Sequence, residues 1–444
     1  MNSTDRLKDN ARQIFASALE AANPQKAVSS SLHLEGNSLR LADKSYNLDD
    51  YKKILVSGVG NYSVHMSQAV EKILGERLHR GMVLTRYTLG FTLEKVETTE
   101  AGFPIPDQSG VTGTRKLKAF LEEAGEDTLL ILLISKGAPS LSTVPVEGIN
   151  LAEKLKTTSL LRKSGADVRE LYTVQKHLST SKGGQIAKWG YPATMPTLIL
   201  SDLLEDDLSL ICSGLTVPDE TTYEEAREVL QKYELIDRLP KTVLEHIDAG
   251  IKGLRDETPK PGDKIFDKVD NVIVASNSIA LKSAQETAKT LGYNSTIFPA
   301  FLQGEAKEMG TKLSELVKQV KTAGKPVSPP ACLIFGGEAT VTKKGRGRGG
   351  ANQEVALGTA IELAGIENFL LLQSSTSGTD GDSDVSGAIV DGGTTERGKK
   401  LGLDPQAHLA NNDSYNFFRQ TGETFVTGPT DTDVMDIGII LVES

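Results

Sequence analysis

One local pattern recurs through the first half of this chain: a short apolar run, a turn of small or polar residues, then a stretch with helical spacing. The run from Tyr51 to Ser57 ends in Gly58-Val59-Gly60, and a helical pattern follows from Ser63 to Leu74. A second unit begins at Gly81-Met82-Val83-Leu84-Thr85. A third leads from Thr128 through Ile134 into Ser135-Lys136-Gly137, and a fourth from Thr197 through Leu200 into Ser201-Asp202. Strands alternating with helices need right-handed crossovers, and these build a parallel sheet. With aromatics at 5% and 42 glycines, the core must be Leu, Ile, Val and Ala joined by glycine turns, as covered parallel layers require.

At 444 residues the chain exceeds what one core normally serves, so two α/β domains are expected. Pro240, Gly253, Pro259, Pro261 and Gly262 punctuate the charged stretch 237–270, which reads as a hinge. The expected division is a larger N-terminal Rossmann-like domain over 1–250 and a smaller α/β domain over 265–444, with a cleft between. In the second domain, strands are expected at Asn271–Ala275, Ala331–Phe335, Phe369–Leu372 and Ile437–Val442, and a helix from Ser278 to Leu291. An amphipathic helix over Asp5–Ala22 precedes both. Ligands of such sheets bind outside the carboxyl ends of the strands.

A net charge of -10 argues against a nucleic-acid or anionic-membrane partner, so any phosphate site must be a local pocket. No apolar run approaches the ~18 residues of a membrane helix, and the N-terminus lacks a signal-peptide core. Cys212 and Cys332 are too few for a disulfide framework or a cysteine metal site. A reduced, cytoplasmic protein is the expectation.

Several loops carry candidate chemistry. Gly58-Val59-Gly60 opens a helix as a dinucleotide fingerprint would, but Ser63 replaces the third glycine and Thr85-Arg86 offers no acidic residue at the next strand's end. Gly345-Arg346-Gly347-Arg348-Gly349-Gly350 combines backbone amides with two guanidinium groups, suited to a phosphorylated small molecule. Carboxylates cluster after apolar runs at Asp202, at Asp206-Asp207, and at Thr379-Asp380-Gly381-Asp382-Ser383-Asp384. Magnesium–nucleotide chemistry asks for one or two of these near phosphates. Lys176 and Lys182 flank His177 and a glycine turn, an arrangement for an anion. Asn411-Asn412-Asp413-Ser414-Tyr415 suits hydroxyl recognition or a helix cap.

Taken in order, Pro145–Ile149, Thr173–Gly184, Leu200–Asp202 with Asp206-Asp207, and Ser213-Gly214 with Thr216–Asp219 resemble the N-terminal domain of the class II glycerate kinases. Gly336-Gly337-Glu338, Gly345–Gly350 with Asn352-Gln353-Glu354, Thr379–Gly381, Leu409–Tyr415 and Thr427–Thr430 resemble that family's smaller MOFRL-type domain. The resemblance implies phosphorylation of D-glycerate, or a related small hydroxy acid, at its 2-hydroxyl, with ATP and Mg2+ as cofactors, in the inter-domain cleft. It also implies a small-molecule hydroxy acid and a nucleotide as partners, in a homodimer or a complex with a paralogue.

The chain departs from the family pattern at polar positions. Asn61 stands where a lysine is expected, Phe103 for a histidine, Gln175 and Ala351 for arginines, and Leu204-Glu205 for proline-glycine. The serine–glycine loop is Ser135-Lys136-Gly137-Ala138-Pro139. The resemblance therefore assigns phosphate-directed charge to Lys136, Arg346 and Arg348, with Asp202 as general base. Asp202 and Asp207 are the magnesium candidates. Gly58, Gly60, Asn61, Ser135, Gly137, Lys176, Lys182, Glu338, Thr379, Asp380, Asn411 and Asn412 are expected around nucleotide and substrate. Lys136 is placed to replace the amine missing at Asn61, and Arg346 and Arg348 the one missing at Ala351. Two alternatives follow from the departures: a catalytically weak paralogue acting as a ligand-binding or regulatory subunit, and a hydroxypyruvate reductase-type oxidoreductase.

Overall fold

The computed structural model describes residues 3–87 and 91–444. The chain forms two compact units, a larger one of Ala27–Ser201 and Asp206–Val274, and a smaller one of Met1–Lys26, Asp202–Glu205 and Ala275–Ser444.

The larger unit starts with a small antiparallel sheet of β1 (Leu32–Glu35), β2 (Ser38–Leu41) and β3 (Lys44–Asn47). Its main sheet holds β4 (Lys53–Val59), β5 (Arg80–Arg86), β6 (Val96–Ala101), β7 (Thr128–Ile134), β8 (Met195–Leu200) and β9 (Val269–Ala275), in the order β6-β5-β4-β7-β8-β9. Pairing is parallel from β6 through β8. Every residue of β7 and β8 is buried, because helices cover both faces. Numbered within this sheet, the order is 3-2-1-4-5-6. The order therefore reverses between β4 and β7, which makes their carboxyl ends the topological switch point.

The expected hinge over 237–270 is instead folded into this unit. Pro240 is the N-cap of the helix Lys241–Ile251, where its missing N–H costs nothing, and Val243 and Ile247 bury in the same cluster as Leu171, Val174 and Leu230. Residues 271–275, expected to open the second domain, form β9 at the edge of the larger unit's sheet. The division therefore differs from 1–250 and 265–444 at both ends.

The smaller unit has a six-stranded mixed sheet of β10 (Asn294–Glu305), β11 (Ala331–Thr340), β12 (Phe369–Ser375), β13 (Gly387–Asp391), β14 (Thr424–Phe425) and β15 (Asp436–Val442), ordered β10-β11-β15-β12-β13-β14. β15 runs antiparallel to both β11 and β12, so the carboxyl ends of those two strands flank the start of β15 at Asp436. The helix Ser3–Ala22, expected from its spacing, is part of this unit. Ser17 Oγ and Ser283 Oγ exchange hydrogen bonds with each other's backbone carbonyls, tying this helix to Asn277–Thr290. Thr432 Oγ1 donates to Ala22 O at 2.6 Å, and Phe15 packs edge-on against Phe425.

Candidate active site

In the larger unit the turn after β4 and the loop after β7 are tied together at the switch point. Asn61 N donates to Lys136 O at 2.7 Å, and Tyr62 N donates to Ser135 Oγ at 3.0 Å. The contact is close enough to require glycine on both sides. A Cβ on Gly60 would lie 2.2 Å from Ser135 Oγ, and one on Gly137, whose φ is +91°, would lie 2.3 Å from Asn61 Oδ1. Gly58, likewise, has no room for a side chain beside Leu133. Asn61 is 3% exposed and its Oδ1 has no hydrogen-bond partner. The structure thus brings Gly58, Gly60, Asn61, Ser135, Lys136 and Gly137 to one place. Arg86, at the end of β5, lies over the Tyr62 ring.

The segment after the helix Val168–His177 is stitched onto the same loop. Thr180 N donates to Val144 O, Ser181 Oγ to Ser142 O at 2.8 Å, and Lys182 Nζ to Pro139 O at 2.8 Å. Lys176 goes elsewhere, against the expectation of a free cation. Its Nζ is 3.0 Å from Asp219 Oδ1, and both side chains are buried. Burial raises the Asp219 carboxyl, but the Lys176 charge and hydrogen bond, with His177 and Thr221, more than offset this and hold it below the usual range. His177 is also structural: Nδ1 faces Thr173 O, and Nε2 lies 3.1 Å from Glu257 Oε2. Asp207 accepts from Ser209 N and Oγ through one oxygen and from Arg169 through the other. These bonds hold it within its own turn. Asp202 falls in the segment that clusters with the smaller unit.

In the smaller unit the arginine–glycine loop is held from behind. Asn412 Oδ1 accepts from Lys344 N and Gly345 N, Asn411 Oδ1 from Arg346 N, Asp413 Oδ1 from Arg348 N, and Asp382 Oδ1 from Gly349 N. Its backbone amides are therefore committed to the protein, a correction to the reading of them as phosphate donors. Asn411 and Asn412 serve as their acceptors, and Asn412 Nδ2 also donates to Glu354 Oε1 at 2.8 Å. The exposed guanidinium groups remain, with that of Arg348 stacked on Tyr415 and bonded to Asp382 O.

Asp380 is buried and receives the start of the helix Ala351–Glu362. Asn352 N and Nδ2 converge on its Oδ1, and Gln353 N and Nε2 on its Oδ2, at 2.9–3.1 Å. Burial nevertheless keeps this carboxyl above its ordinary value. Burial drives Asp436 much further up, against the pull of a hydrogen bond from Asn352. Glu338 and Thr379 are exposed near the ends of β11 and β12. The sequence reading missed Asp436, which the register places between those ends, opposite Gly337 and Ser375. It missed Lys154 as well, although Lys154, Thr157 and Leu161 form the buried stripe of the helix Leu151–Lys163 and that spacing was a usable signal.

A family model described as a domain of unknown function, DUF4147, matches residues 10–248, and the MOFRL family matches 331–436. The chain is 36% identical over 439 residues to the glycerate 2-kinase of Pyrococcus horikoshii, covering 99% of this chain and 98% of that protein. It belongs to the class II glycerate kinase family. The D-glycerate 2-kinase of Thermotoga maritima is 37% identical over 441 residues, covering 98% of each chain. The crystal structure of glycerate kinase from Thermotoga maritima superposes with a TM-score of 0.88 at 36% identity, over 99% of this chain and all of that one. The resemblance drawn from the motifs is therefore a true membership, and the whole chain carries it. Among the described residues no helix is long and apolar enough to cross a membrane.

Proposed function

We propose that this protein is a glycerate 2-kinase, transferring the γ-phosphoryl group of ATP to the 2-hydroxyl of D-glycerate. The observation that carries this is similarity to the two curated glycerate 2-kinases along essentially the whole chain, joined to a switch-point loop pair whose close packing requires glycine. In the reaction the hydroxyl oxygen attacks the γ-phosphorus, the bond to the bridging oxygen of ADP breaks, and the hydroxyl proton leaves to a base. Asp202 is the proposed base. Lys136, Arg346 and Arg348 would neutralise charge on the phosphoryl oxygens, the main demand of such a transfer. Magnesium arrives with ATP as part of the substrate. Among the described residues no His, Cys, Asp or Glu cluster forms a metal cage, and one or two carboxylates beside the phosphates suffice.

Asn411 and Asn412 act in this reading by fixing the arginine loop, and Asp380 by holding the start of the helix that follows it. The test is ADP release from MgATP with D-glycerate. Turnover above background, abolished when D-glycerate is omitted, is expected. No ADP release across a panel of small hydroxy acids, with ligand-induced thermal stabilisation retained, would replace the kinase reading with that of a binding subunit.

A further inference from the structure

Two buried lysines donate to the Ser135–Thr143 segment, and among the described residues neither has a counter-ion. Lys154 is 4% exposed and its Nζ donates to Thr143 O at 3.3 Å, while Lys182 is 1% exposed and donates to Pro139 O at 2.8 Å. A protonated lysine has three N–H donors to satisfy, and each of these amines meets one carbonyl of the same loop. Among the described residues no carboxylate stands within ion-pair distance of either, in contrast to Lys176 with Asp219. Burial lowers Lys154 from 10.5 to about 7. Burial, and secondarily the nearby Lys154 charge, lowers Lys182 well below its ordinary value, against a smaller upward pull from Cys212. Burial therefore disfavours the charged form of both amines until an anion offsets it.

A second, independent observation lies beside them. Ser213 is fully buried, its hydroxyl has no hydrogen-bond partner, and its φ is +65°, directly after Cys212 at +52°. Consecutive non-glycine residues in the left-handed region store strain that marks functional positions. Ser213 O accepts from Gly183 N at 3.1 Å, so this strained turn abuts the residue that follows Lys182. Cys212 Sγ reaches Ser135 O at 3.2 Å, which joins the turn to the loop after β7. Among the described residues, the titratable groups that bear on the pair are the two amines themselves and Cys212.

We propose that Lys154, Lys182 and the Ser213 hydroxyl form a phosphoryl-anion subsite behind the Ser135–Thr143 loop. The idea rests on the kinase reading for its place in a reaction, but its binding test does not. As the anion enters, it favours the charged form of both amines, so the pair takes up protons and becomes a doubly charged receptor. This supplies, from beneath the loop, positive charge that the turn after β4 lacks at Asn61.

The experiment is calorimetric titration of the full chain with inorganic phosphate at pH 8, in two buffers of different ionisation enthalpy, with ADP titrated in parallel. Binding is expected to be accompanied by net proton uptake. The Lys154→Met variant is expected to lose part of that uptake and weaken binding about tenfold or more, as for loss of a charged hydrogen bond. Lys182→Met should weaken binding similarly. Uptake with ADP as well as phosphate assigns the subsite to a nucleotide phosphoryl; uptake with phosphate alone assigns it to the transferred group. Phosphate binding without proton uptake by the unaltered protein, no phosphate binding at all, or wild-type uptake in Lys154→Met overturns the proposal. Failure of D-glycerate to elicit ADP would leave these titrations untouched and count only against the kinase reading.

Discussion

At the scale of single residues, tolerance is set by contacts that composition does not reveal. Gly137 combines a left-handed φ with a neighbour 2.3 Å from where a Cβ would sit. Gly137→Ala should therefore cost ~2 kcal/mol or more of stability and lower kcat/KM by displacing Asn61; chemical denaturation and initial rates on one preparation check both. Asp380→Ala should cost ~3 kcal/mol, because it strands the amides of Asn352 and Gln353 in the interior. Asp380→Asn should recover part of that loss in the same unfolding measurement. The glycine turns and acidic loops were legible in the sequence because Gly and Asp mark backbone geometry locally. Their partners were not. That Lys176 pairs with Asp219 across 43 positions, while Lys182 donates to the Pro139 carbonyl, is decided by packing between distant segments.

At the scale of elements, the parallel sheet was readable because apolar runs and glycine turns repeat. The connection over 237–270 was misread because proline at a helix N-cap and proline in a linker look alike in one dimension. The arginine loop shows the same limit in reverse. Its composition suggested open amides, whereas Asn411, Asn412, Asp413 and Asp382 occupy them and leave the guanidinium groups as its chemistry. Arg346→Ala is accordingly expected to leave stability within ~0.5 kcal/mol and to reduce kcat/KM by at least tenfold. Arg348→Ala should reduce both, because it also loses the contact with Tyr415. Paired melting curves and steady-state kinetics separate the two variants.

At the scale of the whole molecule, the two units carry opposite pH signatures. Lys154 is depressed in the fold, so between about 7 and its ordinary 10.5 the unfolded chain holds the extra proton, and stability rises with pH across that window. Asp436 and Asp380 are raised, so above their ordinary value of 3.8 the folded state holds protons the unfolded chain has released, and stability falls as pH rises through their folded range. Lys154→Met should flatten the alkaline rise, and Asp436→Asn should flatten the acid-side fall. Urea midpoints from pH 4 to pH 10, monitored by hydrogen exchange in each unit, would show either slope unchanged if this assignment is wrong.

The helix Ser3–Ala22 is made well before its partners, which include Ser283 and, much later in the chain, Phe425, Thr432 and Glu443. Until they emerge its apolar stripe of Leu7, Ile14 and Phe15 has nowhere native to go. The larger unit can complete its sheet once β9 is made, while the helix still waits for Thr432, 410 positions beyond Ala22. Vectorial synthesis thus gives this chain one early-folding unit and one that closes last, and the waiting helix is where a chaperone would be expected to hold on.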